Sequence, residues 1–528
     1  MTGGGLGTGG LGGAGELDPR HGDPEHGEWH RLDPRMLAVT PLRQLIGFLP
    51  VVAVVLLAGA GNLDGRLYGV LAAVVAVVLA GVARWFTTRY RVADERVELR
   101  SGLVFRSSRS VPRDRIRTVD LTAGPVHRVF GLSVLKVGTG QRTEGTVQGE
   151  LALDAVSATE ADGLRRRLLE RAGEITPAPV AAPVDQPIAR LDWAWLRYAP
   201  LTVSSLVAVG AVAGAGAQLA GELGVDPSEI PALDEAGARL DAAPLWLGVP
   251  VLAVLVLAVA LLGSVLLFVE AWWGFRLARE PGGTLRVRRG LLTTRSVSLE
   301  EARVRGVEVV EPLLLRAGRG ARLTAVATGL GGTAQGEGRG TLLPPAPRAV
   351  AHRVGAAVLD APQPPTGDPP RPPTGAALRA HPRAALRRRL VRAVLPVLVV
   401  SGVLALVNPV PGWIPLAVLG ALPVTLALAV DAYRNLGHAL AGGYLVTRHG
   451  AAIRRTVALQ RSGVIGWTVS QTFFQRRAGL ATVAATTAAG SGAYQVIDVG
   501  IADGLALADR AVPDLLRFAL VPSSPPEG

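Results

Sequence analysis

Six apolar stretches, set in three close pairs, constrain this chain of 528 residues more than any other feature it has. A helix that crosses a bilayer needs about 20 residues for a hydrocarbon core of roughly 30 Å. Leu45–Ala60 and Leu67–Ala83 form the first pair, joined by GNLDGR, a connection that admits only an antiparallel helical hairpin. Leu201–Ala220 with Leu245–Val269 form the second, and Val391–Val407 with Ile414–Val430, across NPVPGW, form the third. Buried helices of a soluble protein account for one such stretch, but not for six in paired spacing. A mean hydropathy of +0.34 with only 18% charged residues agrees with membrane embedding. The first stretch is not read as a cleaved signal peptide, because more than 40 Gly-rich and polar residues precede it. The N-terminus is therefore expected to stay attached.

Charge sets the expected orientation. The segment 221–244, inside the second pair, carries six carboxylates against Arg239, a net of −5. The segments after the pairs sum to +4 for 86–198, +12 for 272–389 and +3 for 431–528. Positive segments belong on the cytoplasmic side of the membrane. Both termini are expected inside, in a multi-pass protein of the cell membrane. A net charge of +13 over so much apolar sequence does not indicate nucleic-acid binding.

Each pair is followed by a segment of alternating strands, and the three segments repeat. In the first, YRVADERVELRSGLVFRSSRSVPRDRIRTVDL alternates between turn signals at Asp94-Glu95 and Ser101-Gly102. Strands around Val134, Val137 and Glu150–Leu153 follow, and Ser157-x-x-Glu160 reads as a capping box opening a helix over Ala158–Ala172. The second segment starts at Phe275 and the third at Gly443, with closing helices expected at Pro347–Leu359 and Ile501–Phe518; Pro513 should break the last. Landmarks keep approximate step: Val111 to Gly131 is 20 residues, Val297 to Gly318 is 21, and Val457 to Gly479 is 22.

The succession YRVADERVELRSGLVFR, RSVPRDRIRTVDL and Arg128-Val-Phe-Gly131-Leu132 resembles the bacterial pleckstrin-homology-like domain of YdbS/YdbT-type membrane proteins. The match is specific in the first segment, weaker in the second, and mainly positional in the third. The resemblance implies an α+β membrane protein. Three transmembrane hairpins would each be followed by a cytosolic PH-like β-barrel or sandwich closed by a C-terminal helix. It also implies a smaller single-domain relative as a membrane partner and a part in envelope stress or antimicrobial tolerance. It implies no catalytic residues. The corresponding division is a disordered Gly-rich tail 1–41, hairpin 42–85, domain 86–175, linker 176–198, hairpin 199–271, domain 272–360, Pro/Arg-rich linker 361–389, hairpin 390–431, domain 432–520 and tail 521–528.

Candidate sites are few. Arg113, Arg115 and Arg117 alternate in an expected strand close to the bilayer, and with Arg128 they are the candidates for contact with anionic lipid headgroups or a partner. Each cation near an anionic surface contributes about 1 kcal/mol. The competing reading is a solvated strand face. His21, His26 and His30 lie among carboxylates, but in a Gly-rich tail that cannot preorganise a metal, so no metal or other cofactor is assigned. GLGGTAQGEGRG at Gly329–Gly340 reads as a hairpin loop rather than a phosphate cradle, and APQPPTGDPPRPPTG at Ala361–Gly375 as a stiff spacer.

Enzyme chemistry is curtailed by counting. There is no cysteine, and Lys136 is the sole lysine, which removes thiol nucleophiles, Walker A sites and Schiff bases. The sequence reads as a non-enzymatic, membrane-anchored scaffold whose domains bind proteins or inner-leaflet lipid. The alternative is a transporter or lipid-moving protein for a neutral or lipid-like substrate. The span interiors hold no ionisable residue, so ion coupling is disfavoured.

Overall fold

The computed structural model describes residues 29–39, 41–44, 63–93, 95–102, 106–116, 118–138, 150–169, 186–202, 244–330, 338–360, 372–407, 411–513 and 515–516, with isolated positions between 207 and 238. The expected first span Leu45–Ala60, nearly all of the third, and most of the acidic segment 221–244 lie outside the described residues.

Among the described residues, three helices are long and apolar enough to cross a membrane, Trp246–Trp272, Arg383–Leu406 and Trp413–Arg434, and Val74–Thr87 is a shorter apolar one. They belong to α1 (Leu63–Thr87), α4 (Leu245–Trp272), α7 (Arg383–Leu406), and the pair α8 (Trp413–Leu419) and α9 (Leu422–Arg434). The last expected span is thus two helices, broken at Gly420 and Ala421 just ahead of Pro423, whose ring cannot continue an upstream hydrogen-bond ladder. α4 exposes Leu247, Val249, Leu252 and Leu257 around its circumference, as a lipid-facing helix does.

The repeat is exact in topology. Copy 1 runs β2 (Arg89–Val92), β3 (Arg96–Ser101), β4 (Ser107–Pro112), a 3-10 turn at Arg113–Arg115, β5 (Thr118–Ala123), short helix α2 (Pro125–Val129), β6 (Leu132–Gly138), β7 (Glu150–Ser157) and helix α3 (Ala158–Leu169). Copy 2 repeats this as β9 (Arg276–Glu280), β10 (Thr284–Arg289), β11 (Thr294–Glu300), a turn at Glu301–Arg303, β12 (Val304–Pro312), α5 (Leu313–Ala317), β13 (Gly320–Ala327), β14 (Thr341–Pro347) and α6 (Arg348–Val358). Copy 3 does so as β15 (Gly437–Ala441), β16 (Tyr444–His449), β17 (Ile453–Gln460), a turn at Arg461–Gly463, β18 (Gly466–Ser470), α10 (Phe473–Arg477), β19 (Leu480–Thr486), β20 (Ala493–Gly500) and α11 (Ile501–Ala511). The last helix stops before Pro513, as its sequence requires.

Structural equivalence corrects the sequence landmarks. Val111, Leu299 and Leu459 pair with Val97, Leu285 and Leu445 on the preceding strand, so these three correspond, not Val297 or Val457. Each lies 20 residues before Gly131, Arg319 and Gly479, and all three of those positions have positive φ, 67°, 56° and 65°. A second fixed point is the glycine after the second strand: Gly102, Gly290 and Gly450 have φ of 112°, 109° and 110°. A Cβ at Gly290 would stand 2.0 Å from the carbonyl oxygen of Thr293, so no other residue fits that turn.

Three cores follow from the three copies. Val97, Ile116, Leu135 and Leu153 sit in the first, Leu277, Leu285, Val307 and Leu323 in the second, and Leu445, Val457, Val483 and Val496 in the third. The 1–41 tail and the 176–198 linker are not wholly outside the fold. Trp29–Arg31 forms β1, which pairs with β2, while Leu32, Met36 and Val39 are buried in the first core. Likewise Gln186–Arg190 forms β8, which pairs with β9, and Arg379 bridges His438 ahead of the third copy. Each copy therefore takes a strand or bridge from the chain upstream of its own hairpin.

The copies share sheets. β5 pairs with β11, giving the seven-stranded order β7-β6-β5-β11-β10-β9-β8, and β12 pairs with β17, giving β14-β13-β12-β17-β16-β15. Alternating strand patterns specify each small sheet. Nothing in them announces that a strand's outer edge meets the next copy.

Candidate functional site: the bilayer-facing cleft at the first junction

Strand direction decides which residues face the membrane. β2 begins two residues after α1 ends, with Arg89 opposite Arg100 and Val92 opposite Val97. β4 then runs away from the membrane until Pro112 lies opposite Arg96. The turn at Arg113–Arg115 is consequently at the far end of the domain, about 13 Å of strand from Arg89. That exceeds the screening length of about 8 Å at physiological salt, so these charges barely feel headgroups through solvent.

The expected arginine strand is thus a 3-10 turn, and its residues do not form one face. The Arg113 guanidinium donates to the carbonyl oxygen of Arg167 at the end of α3, inside its own domain. Arg115 is exposed on the turn, and Arg117 lies outside the described residues. Arg128, by contrast, sits on α2 at the membrane-facing end, and its guanidinium donates to the carbonyl oxygen of Leu291 in copy 2. Leu291 in turn donates its N–H to the carbonyl oxygen of Glu270, in the last turn of the spanning helix α4.

Around Arg128 the two copies enclose an open cleft of about 270 Å³, lined also by Arg286, Arg288, Arg295, Asp162, Ser133 and Ser296. Four guanidiniums face one carboxylate. Arg286 is fixed from three sides: its Nε donates to Ser296 Oγ at 2.8 Å, and its terminal nitrogens to Glu280 and Asp162 at 3.1 Å each. Beneath it Arg165, on α3, grips Glu280 at 2.7 and 3.1 Å and Ser298 at 3.0 Å. Burial alone would raise the Glu280 carboxyl, but the hydrogen bonds and charges of Arg165 and Arg286 outweigh it and hold the group below its usual range. Arg288 and Arg295 are exposed and make no hydrogen bond or ion pair with any described residue. Next to them burial, then the charge of Arg295, pushes Arg289 down to about 10; its guanidinium lies 4.2 Å from the centre of the Trp272 ring. The cleft is thus an electropositive recess at the level where α4 leaves the membrane.

The sequence alone does not set Arg286, Arg288 and Arg295 apart, since TLRVRR shows the same alternation of arginines as RDRIR does. The signal that separates them is position relative to the membrane, which requires the strand directions. Other sequence candidates are accounted for locally. His30 lies 5.7 Å from the Tyr90 ring, and His21 and His26 are outside the described residues. Among the described residues no cluster of metal-ligating side chains occurs. Glu160 does not complete a capping box; its backbone N–H reaches Ser157 Oγ while its carboxylate accepts from the Tyr90 hydroxyl. The full reciprocal box is at Thr472 and Gln475. Of the glycine-rich loop, 331–337 lies outside the described residues, and of the proline-rich spacer, 361–371 does.

The family model for the bacterial PH domain matches residues 44–172 and 391–518, which contain copies 1 and 3. The UPF0699 transmembrane protein YdbT of Bacillus subtilis is 29% identical over 109 residues, 20% of this chain and 22% of that protein. The chain thus spans about a fifth of the length of that curated relative. No solved structure matches. The third copy, expected from sequence to be the least recognisable, lies within the residues matched, and the second shares its topology.

Proposed function

For this chain, a bacterial PH-domain membrane protein of the YdbS/YdbT type, we propose a non-enzymatic scaffold role, with cytosolic domains held against the inner leaflet and anionic phospholipid headgroups taken into the first-junction cleft. The observation that carries this reading is the cleft itself, in which Arg288 and Arg295 have no carboxylate partner among the described residues and open beside the end of a spanning helix. A phosphate or phosphodiester is the natural occupant of a recess with several convergent guanidiniums, because each offers paired donors. The membrane supplies that group in two dimensions at high local concentration. Anchoring by the hairpins means that the cleft need only select headgroups, so a gain of about 1 kcal/mol per arginine suffices.

The test uses the full-length protein in mild detergent, with short-chain phosphatidylglycerol or phosphatidylcholine added during thermal unfolding. Phosphatidylglycerol is expected to raise the midpoint more than phosphatidylcholine does. Arg128→Gln, Arg288→Gln and Arg295→Gln together should abolish the difference. An equal response to both lipids in the native protein would remove the headgroup reading. Orientation has its own check: a periplasmic-type reporter inserted within 221–244 should be active, and a cytoplasmic signal there would invert the topology.

A further inference from the structure

Two strand edges are left over by the rule that joins the copies. Inside the chain, the strand after each 3-10 turn pairs with the third strand of the next copy, β5 with β11 and β12 with β17. Copy 3 ends with the first half of such a junction, β18, and copy 1 begins with the second half, β4; each is paired on one side only among the described residues. The positions that the internal junctions bury are open here. Ser296–Ser298 and Thr456–Ala458 are buried, whereas their equivalents Ser108–Ser110 on β4, and Thr468–Ser470 on β18, are exposed. Ile465, Val469, Phe473 and Phe474 add exposed apolar side chains along the β18 end. A strand edge with no ladder partner among the described residues, flanked by apolar side chains, is a template for another strand.

We propose that β18 of one chain pairs antiparallel with β4 of a second copy, repeating between chains the junction that the molecule already makes twice within itself. The register is set by those two examples. Leu299 lies opposite Thr118 and Leu459 opposite Gly306; their equivalents place Val111 opposite Gly466 and Ser107 opposite Ser470. Pro112, whose missing N–H would blunt an edge, does not interfere: its counterparts Glu300 and Gln460 lie just outside both internal ladders. The membrane geometry is also met. The internal step carries each copy to the next with its hairpin in the same bilayer, and one more such step brings in the first hairpin of another chain. A contact of this head-to-tail kind closes into a ring or extends as a row. It deepens the scaffold reading and is independent of the arginine cleft, so either can fail alone.

Because the chain has no cysteine, introduced thiols report without background. Two differently tagged chains, one carrying Ser107→Cys and the other Ser470→Cys, are co-expressed and their membranes oxidised. Side chains directly opposite on antiparallel strands have Cβ atoms about 4.5–5.5 Å apart, within reach of a disulfide or a short bifunctional reagent. Thr122→Cys with Arg295→Cys, the equivalent pair inside one chain, serves as the internal control. The expected result is a covalent dimer carrying both tags, lost when Val469→Pro is added while the internal control still closes. Three results would overturn the proposal: no product between chains although the control closes, Ser470→Cys joined to another Ser470→Cys, or Ser470→Cys joined to a different protein.

Discussion

At the first junction Arg295 faces Thr122 and Arg128 has a backbone carbonyl for a partner, whereas at the second the equivalent Arg455 and Arg316 reach Glu308 at 2.9 Å and Asp431 at 2.8 Å. Ala123 at the first corresponds to Glu311 at the second, a carboxylate 1% exposed that accepts from Arg454 at 2.6 and 2.7 Å. Arg288, exposed and open, corresponds to Arg448, which donates to the carbonyl oxygen of Asn435 at 3.3 Å. One strand pairing therefore serves two ends. Where its charges are neutralised it is a weld, and where they are left over it is an electropositive recess. The lesson is that a duplicated interface diverges most cheaply in its side-chain charge, because the backbone ladder holds the geometry.

The largest effect is expected from breaking the weld. Glu311→Ala should leave the Arg454 guanidinium buried without its partner, at a cost of about 3–5 kcal/mol, read as a lower unfolding midpoint with loss of hydrogen-exchange protection in β12 and β17. Acid should act next and on the same side. Burial, then the neighbouring His438, pushes His381 down to about 4, and burial followed by Arg348 lowers His352, which packs beside the second junction. A histidine whose folded value lies below its ordinary 6.5 favours the native state while neutral; that stability is complete above 6.5 and lost as pH falls toward 4. For His381 this amounts to at most about 3 kcal/mol. His127, on α2 beside the first junction, is lowered as well, by burial and then Arg43, but His352 and His449 both flank the second. Exchange protection of β12 and β17 should therefore fall further than that of β5 and β11 on titration from pH 7 to 5, and equal loss would contradict the asymmetry.

Making the first junction resemble the second is the finer probe. Ala123→Glu should place a carboxylate among Arg128, Arg288 and Arg295 and reduce the preference for phosphatidylglycerol about fivefold, roughly 1 kcal/mol, with little change in stability. The smallest effect is expected at the far end of copy 1. Arg115→Gln should leave lipid response and unfolding midpoint unchanged, since the side chain is exposed and remote from the membrane. A response there equal to that of Arg288→Gln would undo the assignment of membrane-facing and far ends.

Much of this architecture could be read from the residues. The spans at Leu67–Ala83 and Leu245–Val269 fall within α1 and α4, and Val391–Val407 within α7 but for its last residue; the strand and closing-helix pattern of each copy follows from alternation and turn residues. Arg128 lies on α2 at the membrane-facing end, whereas Arg113 and Arg115, expected on a strand, lie on a turn at the far end. Local alternation cannot distinguish a strand approaching the membrane from one leaving it. Val297 and Val457 resemble Val111 in type, so residue type alone sets the register of copies 2 and 3 two residues off, whereas pairing to the previous strand identifies Leu299 and Leu459.

What the sequence determined by itself was the set of local units: apolar runs of membrane length, period-two strands, glycines at positive φ, and a threefold order. Each rests on interactions between residues near one another in the chain. The tertiary structure alone decided that copies share sheets, that a strand from upstream of each hairpin joins the domain after it, and that arginines from β10, β11 and α2 converge. Those results depend on edge-to-edge hydrogen bonds and long-range ion pairs, such as Arg165 with Glu280 at 2.7 Å, whose partners carry no mark of one another in the sequence. A strand pattern fixes which face is buried, and leaves open what its edge will meet.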